Sequence, residues 1–155
     1  MNLPFWSKKI GLFHAFMLIC CVCLANENLF KQARTLQREG KHGEAIEAFK
    51  NYLTQPMTER EFSDEQMVRY TDALVQLMNT FQSKGEPETC ITALQEVYKK
   101  SPILQKIYLR DYYSVLGYAL SRTEKMREAE ETMLRAFTIP LHQATPERYF
   151  RDYAY

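Results

Sequence analysis

The segment from Gly40 to Phe49, Gly-Lys-His-Gly-Glu-Ala-Ile-Glu-Ala-Phe, has a pattern that two later segments of the chain repeat in altered form. A turn with two glycines is followed by a small residue, Ala45, and then by a bulky one, Phe49. At this spacing the two side chains lie on the same face of a helix. A unit of this kind cannot bury its apolar face alone, so its repetition predicts stacked helical pairs. Such architectures serve surface recognition, and the pattern does not specify a partner.

Apolar residues at helical spacings lie on both sides of this first turn. The stripe before the turn consists of Leu29, Phe30, Ala33 and Leu36. The stripe after it consists of Ala45, Ile46, Phe49, Tyr52 and Leu53. Gly40 suits the left-handed residue that ends many helices, and Pro56 ends the second stripe. Two helices joined this closely form an antiparallel hairpin.

A second pair of helices is predicted after a polar connection. Ser63 and Gln66 have the spacing of a capping box, which satisfies the first backbone donors of a helix. The buried side of this long helix consists of Met67, Tyr70, Leu74, Leu77, Met78 and Phe81, and Gly85 ends it. Pro87 suits the first position of the returning helix, which Ser101-Pro102 ends. The stripe of the returning helix consists of Cys90, Ile91, Leu94, Val97 and Tyr98.

A third pair is predicted to begin near Gln105 to Leu109. Its first helix carries Tyr113, Leu116, Gly117 and Leu120, and its second helix carries Ala129, Met133, Ala136 and Phe137 before a stop at Pro140. A glycine inside a helix costs about 1 kcal/mol relative to alanine. Gly117 therefore indicates a close approach of two helices.

In spacing, these three pairs resemble the tetratricopeptide repeat, whose pattern is Trp-x2-Leu-Gly-x2-Tyr, then Ala-x3-Phe, then Pro. The best matches are Tyr113-x2-Leu116-Gly117-x2-Leu120 and Ala45-x3-Phe49. The middle pair matches through Leu74-x2-Leu77-Met78-x2-Phe81, then Cys90-x3-Leu94, then Pro102. The equivalent residues Ala45, Cys90 and Ala129 are 45 and 39 positions apart. Because the family period is about 34, lengthened first helices or connections are expected.

The resemblance implies an all-α fold, in which antiparallel helix hairpins stack as a tetratricopeptide-like α-solenoid. The composition of the N-terminus separately predicts a signal segment before this array. We expect three irregular hairpins in residues 26–140. Residues 141–155 are expected to be the first part of a further, truncated repeat, because Thr145 can cap and Pro146 can open a helix there. This helix would carry Tyr149, Phe150, Tyr153 and Tyr155. Its aromatic character predicts that the array continues.

Residues 1–25 have the composition of a secretory signal peptide. Lys8 and Lys9 precede an apolar run from Ile10 to Ala25 that is short for a bilayer crossing. Cys23 and Ala25 supply small residues for cleavage before Asn26. A lipid-modified cysteine and an uncleaved membrane anchor are the alternatives. The predicted location is exported, and either periplasmic or membrane-associated.

Charge and residue spacing argue against several classes of function. Two of the 20 basic side chains lie in the signal segment, so the rest of the chain has 18 basic and 19 acidic side chains. With this balance of charge, electrostatic binding of nucleic acid is not expected. Cys90 is the one cysteine outside the signal segment, and it is predicted to be an inert core thiol. No metal-ligand set surrounds His14, His42 or His142, and no phosphate loop or nucleophile motif occurs. We therefore predict no catalytic residue, metal or cofactor.

The resemblance also implies a trough whose concave wall comes from the first helix of each hairpin and which holds an extended peptide or a partner helix. The residues of these helices outside the packing stripe are Arg34, Gln37, Arg38, Asn79, Gln82, Ser114, Tyr118 and Arg122. We call these eight the predicted groove residues. Each one alone is equally compatible with solvated helix surface, and their mixed chemistry favours recognition as a group. The chaperone-tail clamp of the family is not expected, because Phe30, Gln76 and Asp111 stand where it requires other residues.

Two further sets of side chains have an ordinary interpretation. The tyrosines Tyr108, Tyr112, Tyr113 and Tyr118 could form a shelf for ligand stacking, but packing in the hairpins is favoured for three or more of them. In the acidic run from Glu128 to Glu131, Glu131 is expected to pair with Arg135 one turn later on the helix surface.

Export and irregular repeats together resemble the extracytoplasmic repeat regions of bacterial membrane-bound regulators, such as two-component sensor kinases. We therefore expect a protein-interaction or sensory module that docks a protein or peptide in the trough. Membrane contact would come through the signal segment or a later segment. The alternative is a self-standing exported scaffold or lipoprotein without signalling output. An enzyme would need a catalytic constellation beyond Tyr155.

Overall fold

The computed structural model describes residues 27–56 and 64–140. All of the regular secondary structure within these two ranges is α-helical. The helices are α1 (27–38), α2 (His42–Leu53), α3 (Asp64–Lys84), α4 (Pro87–Lys100), α5 (Pro102–Lys106), α6 (Leu109–Ser121) and α7 (Met126–Thr138). The all-α prediction is confirmed for this part of the chain. The signal segment at 1–25, Ser63 of the expected capping box and the further repeat at 141–155 lie outside the described residues.

Glycines in the left-handed conformation end α1 and α3. The φ angle is 72° at Gly40 and 77° at Gly85. At the first of these, Lys41 N donates to Leu36 O at 2.9 Å and Gly40 N donates to Gln37 O at 3.1 Å. The same two bonds close the end of α3. This is the Schellman pattern, in which a side chain would strain the backbone, and the left-handed cap predicted at Gly40 is confirmed.

Short connections join six of the helices into hairpins, α1 with α2, α3 with α4, and α6 with α7. In the first hairpin the Phe30 ring packs on Phe49 and Tyr52, with ring centroids 6.4 and 5.5 Å apart. Helix α2 packs on α3, and α4 packs on α6. The second helix of one hairpin thus contacts the first helix of the next. One hydrophobic cluster extends through all of these contacts.

The hydroxyl of Tyr70 ties three parts of the core together. It donates to Leu53 O at the end of α2 over 2.7 Å, and it shares a hydrogen bond of 2.6 Å with Ser101 Oγ, between α4 and α5. Ser101 also accepts from Leu104 N at 3.4 Å. Tyr70 and Ser101 are both 0% exposed. Burial of these polar groups is tolerated because each of them is hydrogen-bonded.

The connection between the second and third hairpins contains a helix that the sequence pattern does not reveal. The pair Ser101-Pro102 indicates a stop, yet it also opens α5, with Ser101 as the N-cap and Pro102 at the first turn. The first helix of the third hairpin, α6, begins at Leu109, the last position of the predicted start. Helix α5 has 5 residues and lengthens the connection between the second and third hairpins. The first helices also differ in length, since α3 has 21 residues and α6 has 13.

Gly117 lies at a close contact between α6 and α7. A Cβ atom at this position would lie 2.6 Å from Met133 Cγ, 3.3 Å from Met133 N and 3.4 Å from Ala129 O. Contacts this short leave no room for a methyl group without movement of α7 or of the Met133 side chain. The predicted close approach of two helices at Gly117 is confirmed.

Candidate binding face

The eight predicted groove residues lie on the first helices of the three hairpins or directly after them. Helix α1 carries Arg34, Gln37 and Arg38, α3 carries Asn79 and Gln82, α6 carries Ser114 and Tyr118, and Arg122 is the C-cap of α6. Arg38, Tyr118 and Arg122 are exposed, and the other five are half-buried. These positions leave polar atoms of all three first helices within reach of solvent.

Gln37 connects α1 to α3 through its side-chain amide. Its Nε2 atom donates to Gln76 Oε1 at 3.1 Å and to Thr80 Oγ1 at 3.0 Å. Its Oε1 atom accepts from the Arg34 guanidinium at 3.2 Å. Gln37 therefore links α1 to α3, and it also fixes the position of the Arg34 side chain. Arg38, in contrast, is exposed to solvent.

A row of polar side chains on α3 supports this connection. Gln76 Nε2 donates to Asp72 Oδ1 at 3.0 Å, and Thr80 Oγ1 donates to Gln76 O at 2.6 Å. Asp72, Gln76 and Thr80 are spaced four residues apart and so lie along one ridge of the helix. Sequence reasoning did not assign them to the groove, although this regular polar spacing inside an apolar helix was the available signal.

Helices α3 and α6 are also linked by a polar contact, which is buried. Thr71 Oγ1 donates to Asp111 Oδ2 at 3.2 Å, and the two residues are 9% and 6% exposed. Burial raises the pKa of the Asp111 carboxyl from 3.8 to about 6, while the Thr71 hydrogen bond and the Arg110 charge act in the opposite direction. The sequence marked Asp111 only as a departure from the family clamp, and its partner Thr71 gave no signal.

These two connections place α1 beside α3 and α3 beside α6. Of the groove residues, the structure brings Arg34 and Gln37 into direct contact. Between the described residues, no hydrogen bond or ion pair joins the groove residues of α3 to those of α6. The face is thus built by adjoining helices, and the groove residues of α3 do not pair with those of α6.

One groove residue on α3 has an unused donor. Gln82 Nε2 is buried and has no hydrogen-bond partner among the described residues. Leaving such a donor unpaired costs about 1–3 kcal/mol, since the hydrogen bond that it made with water is lost. Because protein atoms enclose this nitrogen, it is not a contact point for a ligand on the surface of α3.

The α6 end of the face carries one exposed ring. Tyr118 is 42% exposed, whereas Tyr112 stacks on Tyr98 with centroids 4.5 Å apart. Tyr108 stacks on Tyr70 with centroids 4.6 Å apart, and Tyr113 packs against the core. Packing of three of the four tyrosines is therefore confirmed. Ser114, next to this ring, donates to Arg110 O of its own helix at 3.0 Å.

Charged side chains elsewhere form ordinary surface pairs. Glu131 was expected to pair with Arg135, but it accepts from Arg127 Nε at 3.1 Å instead, four residues earlier on α7. The predicted partner of Glu131 is therefore wrong. Both arginines lie one turn from the glutamate, so helical spacing alone does not distinguish them. An open cleft of about 290 Å³ between α2 and α4 is crossed by Lys50, which lies 3.3 Å from Glu47 and 3.5 Å from Glu96. Lys50 is thus paired with both carboxylates, and the cleft does not define a ligand.

Cys90 lies in the core and is 1% exposed. Burial raises the pKa of its thiol to about 12. A thiol with so little thiolate is a poor nucleophile, and the prediction of an inert core cysteine is confirmed.

Within residues 27–56 and 64–140, no helix is long and apolar enough to span a membrane, and no group of histidine, cysteine and carboxylate side chains is arranged to hold a metal ion. Comparisons with protein-family models, curated proteins and solved structures found no match for the chain.

Proposed function

We propose that this chain is a protein-interaction module, a tetratricopeptide-like array that binds an extended peptide or a partner helix along the face formed by α1, α3 and α6. The observation that carries the proposal is the side-by-side contact of these helices, made by Gln37 with Gln76 and by Thr71 with Asp111. A face built from successive first helices offers regularly spaced contact points to a ligand that runs across them.

The side chains on this face favour a polar, acidic ligand. Arg38 and Arg122 are exposed at its two ends, and guanidinium groups bind carboxylates through paired hydrogen bonds. The amide of Asn79, which is half-buried, can pair with the backbone of an extended peptide, and Tyr118 offers an exposed ring. Such sets of arginine, tyrosine and amide side chains are enriched at binding surfaces.

We further propose that the module is the extracytoplasmic sensory part of a bacterial membrane-bound regulator, with a self-standing exported scaffold or lipoprotein as the alternative. Support comes from the signal-like composition of residues 1–25 and from the irregular repeats. The coding sequence of the parent gene separates the two. An apolar segment of about 20 residues downstream, followed by a signalling domain, supports the regulator, whereas an early stop codon contradicts it.

Selection from a random peptide-display library tests the binding proposal. We expect the protein to enrich acidic peptides, and the double variant Arg38→Glu/Arg122→Glu to bind them at least tenfold more weakly with little change in Tm. The matched control is Lys99→Glu/Arg135→Glu, which makes the same change of charge at exposed positions on second helices. Equal losses in both variants would show a nonspecific charge effect, and equal affinity in all three proteins would remove the arginines from the site.

A further inference from the structure

Helix α7 exposes an apolar strip on the side of the molecule where the described residues end. The strip consists of Phe137, which is 75% exposed, and Leu134, which is 58% exposed, whereas Met126, which is 63% exposed at the other end of the helix, lies outside it. Phe137 and Leu134 are three residues apart and so are neighbours on the helix surface. A phenylalanine ring left in water forgoes the stabilisation that burial of its apolar surface would contribute, so the strip calls for a covering element.

The two earlier hairpins show what covers this position. Counting eight residues from the small residues Ala45, Cys90 and Ala129 gives Leu53, Tyr98 and Phe137. Leu53 is 0% exposed, and its carbonyl oxygen accepts from the Tyr70 hydroxyl of α3 at 2.7 Å. Tyr98 stacks on Tyr112 of α6 with centroids 4.5 Å apart.

In the first hairpin the backbone carbonyl of this position contacts a tyrosine on the first helix of the following hairpin, and in the second hairpin its side chain does. Phe137 is the third member of the series. Its equivalent partner would be an aromatic side chain on a helix that follows α7 in sequence.

We propose that Phe137 and Leu134 form a docking site for residues 145–155 of the same chain. That segment begins with Thr145-Pro146, a helix-opening pair, and contains aromatic residues at Tyr149, Phe150 and Tyr153. The connection from Pro140 to Thr145 has the length usual between packed helices. A tether this short keeps the segment at a high effective concentration beside α7, which favours it over a second molecule.

A double-mutant cycle in the full chain tests this docking. One arm is Phe137→Ala, and the other is a segment variant in which Tyr149, Phe150 and Tyr153 are each replaced by serine. We expect each arm alone to lower Tm by roughly 3–5 °C, and the combined variant to melt within about 1 °C of the less stable arm, because both arms remove one contact. Met126→Ala, at the other end of α7, is the matched control, and its shift should add to that of the segment variant.

Other outcomes contradict the proposal. An unchanged Tm for Phe137→Ala, or shifts that add in the combined variant, would show that the segment does not cover the strip. A coupling that disappears on dilution, with dimers in sedimentation velocity, would assign the strip to a second copy of the chain.

Discussion

At the scale of single residues, Asp111 is a carboxyl group held in an environment with little water. It is buried between α3 and α6, and its pKa is raised to about 6 because burial disfavours the charged form. The folded state therefore binds the proton more tightly than the unfolded state between about pH 4 and pH 6. Stability is unaffected by this group below pH 4, falls as the pH rises through this window, and stays lower above it.

Asp111→Asn should remove this penalty while keeping an oxygen that accepts from Thr71. The free energy of unfolding of the variant, relative to the original protein, is expected to rise between pH 4 and pH 6 by at most about 3 kcal/mol, at 1.36 kcal/mol per pKa unit. Urea unfolding at a series of pH values measures it. Ser114→Ala, a substitution on the same helix without a titrating proton, serves as the control. A difference that is constant with pH, or that falls, would contradict the burial of a charged Asp111.

At the scale of helices, the contact between α6 and α7 depends on the absence of a side chain at Gly117. A methyl group there would lie 2.6 Å from Met133 Cγ and 3.3 Å from the Met133 backbone nitrogen. In a helix without this neighbour, replacing glycine by alanine would add about 1 kcal/mol of stability. Here overpacking, which costs roughly 1–3 kcal/mol, opposes that gain and is expected to exceed it.

We therefore expect Gly117→Ala to lower the free energy of unfolding by about 1 kcal/mol. Gly43→Ala is the matched control, because Gly43 also lies in a helix but has no atom within 4 Å of its absent Cβ. That variant should be as stable as the original protein or more stable. Chemical denaturation of both variants measures the contrast, and a stabilised Gly117→Ala variant would show that α7 moves away without cost.

The ends of a helix could be predicted from the sequence where the residues that set them act within their own turn. Gly40, Gly85 and Pro87 act through the backbone of their own turn, so the sequence was sufficient to locate the ends of these helices. Helix α5 does not follow from the local pattern, because Ser101-Pro102 can end one helix and open another, and here it does both.

The candidate face was predicted less completely for the same reason. Its members follow from helical periodicity, but the partner of each side chain does not. Gln37 was predicted as a ligand contact, and the structure engages it with Gln76 and Thr80 about forty residues away. The burial of Asp111 likewise depends on how α3 and α6 meet, which no local pattern encodes.

At the scale of the whole molecule, the hairpins adjoin through both of their helices. The second helices α2 and α4 contact the first helix of the following hairpin, and the first helices α1, α3 and α6 are linked in turn by polar pairs. Because α3 is long and α5 is inserted, successive hairpins are not equivalent. Such an array can present one continuous surface while differing in chemistry from unit to unit, which suits recognition of a single ligand.

Amide hydrogen exchange, with and without a peptide from the library selection, measures where a ligand contacts this array. We expect the peptide to slow exchange in α1, α3 and α6, most clearly near Arg38, Gln82 and Arg122, and to leave α7 and the outer side of α2 unchanged. Slowed exchange confined to α2 and α4 around Lys50 would contradict the account, since it would place the binding site on the opposite helices of the hairpins.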